Sequence, residues 1–218
     1  GIRDVAVTGV QTCALPISCK RGGNRVYRGR GVEHYFVGNA GAYCRGGDGM
    51  TTLRCPVIEL GAGETAVAAV IASLRQAVNR EAGVRNRKAG AQDVMTTELI
   101  GLYGELAFAR WANLYPDLRV HLRAGSADAM WRGCRVDVKG TRAVHGHLWV
   151  DERSVQKGNA DVYVLAHVNY ATVTLVGWCY AHDIPHVGVA LPIRQTYRVP
   201  PDALRPMQDV PVNISSEE

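Results

Sequence analysis

Cys134-Arg135-Val136-Asp137-Val138-Lys139-Gly140, with Asp128 nine positions ahead of Asp137, is the stretch whose reading decides the fold. Val136 and Val138 alternate with Arg135, Asp137 and Lys139, which predicts a short β-strand. Successive side chains on a strand point to opposite faces, so Asp137 and Lys139 share one face and the valines the other. Nine residues suffice for a strand end, a turn and a return. An acid and an amine side by side at a strand end, with a second acid close by, can bind a divalent metal and activate a water. The plain alternative is a surface Asp-Lys pair on an edge strand, worth little to stability.

Working outward, a helix is expected from about Val94 to Leu114. Thr96 or Thr97 would cap it, and Leu99, Leu102, Leu106, Ala109 and Trp111 would supply its apolar positions. Glu98 and Glu105 are seven apart and share a face. Glu98 reads as an ordinary exposed helix acid. Glu105 follows Gly104 and precedes Ala107, small residues that permit close approach to a sheet. An earlier helix over Glu64–Arg80 would bury Val67, Val70, Ile71, Leu74 and Val78. The polar stretch from Glu81 to Gln92 carries Arg85, Arg87 and Lys88, either a solvated loop or a phosphate-contacting one. Strands are expected at 118–122, 134–139, 147–150, 161–168 and 172–180, the last two forming a hairpin across Asn169-Tyr170. From Pro185 the chain is Pro-rich and reads as a tail over the surface, weakly structured towards its end.

The order helix-Glu105, Asp128, then Asp137-Val138-Lys139 resembles the metal-binding core of the PD-(D/E)XK nuclease superfamily. Gly104-Glu105-Leu106-Ala107-Phe108-Ala109 looks like that superfamily's first core helix. The resemblance spans Glu98 to Asp183, about 40% of the chain. Ala127 stands where the nominal Pro would be. The resemblance implies an α/β, restriction-endonuclease-like core, a central mixed β-sheet flanked by helices. It also implies a nuclease that hydrolyses DNA with Mg²⁺ (or Mn²⁺). Asp128, Asp137 and the Val138 carbonyl would be metal ligands, and Lys139, Asp137, Asp128 and Glu105 the catalytic set. Gln156-Lys157 falls where related nucleases often carry an assisting Gln or Lys, so Lys157 joins Arg85, Arg87 and Lys88 as a nucleic-acid contact. Many relatives act as dimers, so a homodimer is compatible. The second reading is a catalytically inactive nucleic-acid-binding or assembly module on the same fold. A third is an unrelated α/β protein with Asp137 and Lys139 facing solvent.

The start of the chain is of another kind. Gly1-Ile2-Arg3-Asp4 and Val7 to Ile17 match, in frame, a translated DNA-sequencing adapter, with Val5-Ala6 where a sample index would fall. Residues 1–18 are therefore set apart from fold reasoning, as tags are. Such a fusion points to environmental shotgun sequence of bacterial or phage origin. Residues 19–49 are rich in Gly and Arg without a sustained apolar period. They read as loop, disorder or untranslated DNA, with a basic nucleic-acid arm as the functional alternative. Met50 is the expected start, which makes 50–218 the nuclease-like domain, long enough for one core.

That division changes the charge argument. The chain carries a net +5, but residues 1–49 hold seven Lys/Arg and three Asp/Glu and so contribute +4 of it. The basic balance therefore says nothing of the domain's partner. No apolar run approaches the ~18 residues of a membrane span. Cys55, Cys134 and Cys179 are scattered without a C-x-x-C pair, against a disulfide framework or zinc knuckle and for a reducing, cytoplasmic setting. His145 with His147, and His182 with His186, are the other metal candidates, with loop or half-buried histidines as the plain alternative. Trp178 reads as core or rim packing. No Walker-type phosphate loop is present. Asn213-Ile214-Ser215 matches a glycosylation sequon, with nothing to indicate secretion.

Overall fold

The computed structural model describes residues 55–83, 93–120, 127–143, 145–191 and 194–209. It also describes the backbone of four short strands, β1 (Val26–Gly29), β2 (Val32–Phe36), β3 (Ala42–Arg45) and β4 (Thr52–Arg54). These four pair in chain order as an antiparallel meander. β1 to β3 lie within the Gly- and Arg-rich stretch read above as loop or disorder. Residues 1–18, the Arg85-Arg87-Lys88 cluster and the Asn213 sequon lie outside the described residues.

The centre of the fold is a five-stranded mixed sheet. Its strands are β5 (Val57–Glu59), β6 (Ala129–Trp131), β7 (Cys134–Thr141), β9 (Val162–Asn169) and β10 (Thr172–Tyr180), in the order β5-β10-β9-β7-β6. β7 runs parallel to β9, and every other pair is antiparallel. Val136, Val138, Val162, Val164 and Ala166 are fully or almost fully buried on one face. β-branched residues fill a pleated surface well, which is why these runs form strands. The β6–β7 hairpin closes through Arg132 and Gly133, both at positive φ (52° and 79°). That pair of angles belongs to the two-residue turn whose twist matches the flanking strands. β6 pairs with β7 only as far as Val136, so Asp137 and Lys139 have a strand neighbour, β9, on one side alone.

α1 (Ala62–Glu81) and α2 (Val94–Trp111) cover the valine face. The cap of α2 is Asp93, whose carboxylate accepts the Thr96 N–H at 2.9 Å and the Thr96 hydroxyl. Thr96 and Thr97 lie inside the first turn and are not its cap. A carboxylate with two acceptor oxygens satisfies the orphan N–H groups and suits the positive helix end. The apolar stripe expected on α1 is also displaced. The buried face is Ala68, Ile71 and Ala72, while Val67, Val70 and Leu74 are exposed. Small residues let α1 approach α2 closely, and the sequence pattern favoured the larger residues beside them.

A smaller sheet lies apart from the first. β8 (Leu148–Asp151), β11 (Val189–Leu191) and β12 (Thr196–Val199) pair in the order β11-β12-β8. Residues 147–150 do form a strand, as expected, but not in the central sheet. Leu148, Val150, Tyr163, Leu165, Cys179, Ile184 and Val199 form a second apolar cluster on the sheet's other face. α3 (Glu152–Gln156) and α4 (Ile184–Val187) are short. The segment after Pro185, read as a surface tail, is correspondingly more ordered through Asp209. The first strand expected at 118–122 is not formed at 118–120, where the chain is irregular. Among the described residues, no helix is long and apolar enough to cross a membrane.

Candidate functional site

β6 and β7 bring Asp128 against the middle of β7. The Asp128 N–H donates to the Val136 carbonyl at 2.8 Å, and one Asp128 carboxylate oxygen accepts the Val138 N–H at 2.7 Å. The side chain thus takes the place of the backbone acceptor that a longer β6 would offer. Along a ladder, the N–H and C=O of one residue point to the same neighbour. The Val138 carbonyl therefore faces the Asp128 side as well.

Asp137 and Lys139 are neighbours on one face of β7, as the alternation predicts. The Lys139 ammonium reaches both Asp137 oxygens, at 2.6 and 2.8 Å. Asp137 is nearly covered and Lys139 partly exposed. Glu105 arrives from α2. Gly104 packs against Val138 and Ala166, and a β-carbon added at Gly104 would lie 3.3 Å from each. On the strand side, a β-carbon at Gly140 would meet the Ile100 carbonyl oxygen at 2.5 Å. Helix and strand cross here at a distance only glycines allow, and that crossing carries Glu105 to the site.

Arg75 of α1, which sequence reading did not single out, holds Glu105. Its guanidinium donates to a Glu105 oxygen at 3.2 Å and to the carbonyls of Asp117 and Arg119 at 3.1 and 3.4 Å. At 12% side-chain exposure it is one of the more deeply placed cations described. No motif marks it. The available signal was an arginine near the small-residue face of an amphipathic helix.

The electrostatics follow from burial and crowding. Burial pushes the Asp128 carboxyl well above its ordinary value, and the charges of Glu105 and Asp137 push it further. Burial also raises Glu105, against the opposing pull of Arg75. For Lys139, burial favours the neutral amine, but Asp137, Asp128 and Glu105 outweigh it and the net direction is upward. Lys139 is therefore an ammonium surrounded by acids.

Hard oxygen donors are what this strand end offers: the Asp128 and Asp137 carboxylates and the Val138 carbonyl. Among the described residues, no group of three or more His, Cys, Asp or Glu stands together as a metal cage. The donor set nonetheless fits a Mg²⁺-type ion, which takes one or two carboxylates and keeps several waters. It holds none of the Cys or His ligands from which structural zinc sites are built.

Other expected residues stand elsewhere. Lys157 is exposed at the C-cap of α3, and Gln156 donates to Glu152 at 3.2 Å. Glu98 is half-buried rather than freely exposed, and its charge raises Glu105. His145 lies in a turn before β8, not on a strand face shared with His147. His182 stacks on Tyr180, with ring centroids 5.0 Å apart. His186 sits in α4, whose first turn contains Pro185. Trp178 is buried, as core packing requires. Cys55, Cys134 and Cys179 are buried free thiols, and burial pushes Cys179 up to about 12.

Comparison of the chain with protein-family models, with curated proteins and with solved structures gives no match to any of them.

Proposed function

We propose that the chain is a metal-dependent nuclease hydrolysing DNA phosphodiester bonds, built on a restriction-endonuclease-like core. One observation carries this reading: Asp128 accepts the Val138 N–H at the middle of β7, the Lys139 ammonium reaches both Asp137 oxygens beside it, and Glu105 of α2 lies within reach of their charge. Three half-buried acids crowded round one ammonium repel one another, which adds little to stability by itself. Such a group is what the hydrolysis of a charged diester uses.

Asp128 and Asp137, with the Val138 carbonyl, would hold Mg²⁺ or Mn²⁺. Bound there, the ion would lower the pKa of a water and polarise the phosphoryl oxygen. The Lys139 ammonium sets a positive charge where negative charge develops on the phosphate oxygens. The Val138 N–H fixes the Asp128 carboxylate. Arg75 fixes Glu105 at the edge of the cluster and offsets part of its charge.

A second reading has its own support. Each carboxylate already has a partner: Asp128 the Val138 N–H, Asp137 the Lys139 ammonium, and Glu105 the Arg75 guanidinium. A satisfied cluster of this kind suits a catalytically silent nucleic-acid-binding or assembly module on the same fold, since folds outlast their sites. Incubation of the protein with plasmid and linear DNA and Mg²⁺ separates the two. Metal-dependent cutting supports the nuclease, and DNA binding without cutting supports the silent module.

A further inference from the structure

We propose that the open cleft beside Asp128 seats an unpaired nucleotide next to the phosphate that is cut, so that the substrate is single-stranded or frayed DNA rather than intact duplex. The inference rests on the nuclease reading and names the substrate class of that same site. The cleft measures about 680 Å³, within the range of roughly 300–1,000 Å³ typical of small-molecule sites. One wall is the irregular segment 115–119, and the other is Ala127–Met130 with Arg135. Asp128 itself lines the cleft. A phosphate paired with the Lys139 ammonium, whose charge reaches Asp128, would have its flanking nucleotide close to this opening.

The lining has the chemistry for a base. Tyr115 is 86% exposed and Met130 57% exposed, and both line the same cleft with Pro116 and Leu118. Stacked bases in a duplex cover one another's faces. An unpaired base has a free face, and stacking on an aromatic ring rewards it whatever its identity. The charge is also suited. Arg119 and Arg135 belong to the same lining, each on an acid, Asp117 and Asp161. A guanidinium carries five N–H donors in a fixed fork, more than one carboxylate takes up. A sugar-phosphate backbone passing the cleft meets both arginines. The exposed Tyr115 and Met130, with Arg119 and Arg135 balanced by Asp117 and Asp128 in the same lining, fit one nucleotide of a strand, and an apolar peptide would leave the guanidiniums without use.

Fluorescence anisotropy of the full chain with a labelled 12-nucleotide single strand and with the matching blunt duplex, in EDTA so that nothing is cut, tests the proposal. Wild type is expected to bind the single strand more tightly than the duplex. Tyr115→Ala should weaken single-strand binding about tenfold, the scale of one base–aromatic stack. Tyr115→Phe should retain it, and Tyr170→Ala, an exposed tyrosine at the β9–β10 turn, should leave it unchanged. Equal affinity of wild type and Tyr115→Ala, or preference for the duplex, would overturn the cleft as a base seat. Cleavage is scored separately with Mg²⁺ on the same strands. Cutting without any Tyr115 effect leaves the nuclease reading standing and the cleft rejected. A Tyr115-dependent single-strand preference without cutting supports the cleft and rejects the nuclease.

Discussion

At the scale of single residues, the chain spends its charged groups in pairs that differ in kind. Arg135 and Asp161 form a bidentate pair at 2.7 and 3.1 Å, and the Asp161 carboxylate also accepts the Arg135 N–H at 2.7 Å. They fasten the start of β7 to the start of β9. The Arg135 hydrogen bond holds the Asp161 carboxyl below its ordinary value, despite some burial. A carboxyl lowered by folding stabilises the fold above its unfolded pKa, near 3.8, and that contribution disappears as pH falls through the folded value. Asp161→Asn is expected to cost about 0.5–1 kcal/mol at pH 7, because the pair is more than a third exposed and screened. The difference from wild type should be smaller at pH 3 than at pH 7. Urea unfolding at both pH values measures it, and a difference equal at the two contradicts the linkage. Asp137 and Lys139 are another matter: they lie near two further half-buried acids, Asp128 and Glu105, where pairing alone does not remove the repulsion.

Elements show which parts of the design were legible in the sequence. The alternation through 134–139 gave the right strand and the right faces, because a period of two is directly readable where one face is valine. The helix over α2 was legible from helical apolar spacing, and the β9–β10 hairpin from two β-branched apolar runs on either side of Asn169-Tyr170. The cap at Asp93 was missed because Asp93, Thr96 and Thr97, all within five positions, can each serve as a cap. The buried face of α1 was missed because alanines carry the contact and valines carry the pattern. Asp128's place against Val138, and Arg75's grip on Glu105, depend on pairing between distant segments, which no local period encodes. The closest such approach is the crossing of α2 over β7. Gly140→Ala puts a methyl into the Ile100 carbonyl, where backbone must move rather than a flexible side chain. It should destabilise the protein by about 1–3 kcal/mol, read as a lowered midpoint in urea. A midpoint within error of wild type would show that the crossing has slack.

On the scale of the whole molecule, two apolar clusters share the central sheet, one on each face. The site lies where the longer helices, the hairpin β6–β7 and the inner strand β7 meet. The chain after β12 returns to the sheet and is fastened there by Trp178. Trp178 exchanges backbone hydrogen bonds with Arg205 at 2.9 and 2.8 Å, and its indole N–H donates to the carbonyls of Pro206 and Asp209 at 3.0 and 2.6 Å. Arg205 in turn lies over the Trp178 and Tyr180 rings. Trp178→Phe keeps the aromatic bulk and removes the indole donor. It should cost about 1–3 kcal/mol and speed proteolysis near Arg205. Unchanged proteolysis and stability would mean that the return segment is held by its other contacts.

The central claim concerns Lys139 and its acids, and single-turnover cleavage of plasmid DNA tests it most directly. Wild type and Lys139→Ala are compared with Mg²⁺ and with EDTA, after matched urea curves establish that both are folded. Cutting that requires the metal and falls about 100-fold or more in Lys139→Ala, the scale of removing one preorganised charge from a reacting oxygen, is the expected result. Metal-dependent cutting at the same rate in both proteins would contradict the placement of the site, and no cutting by folded wild type would contradict the nuclease itself.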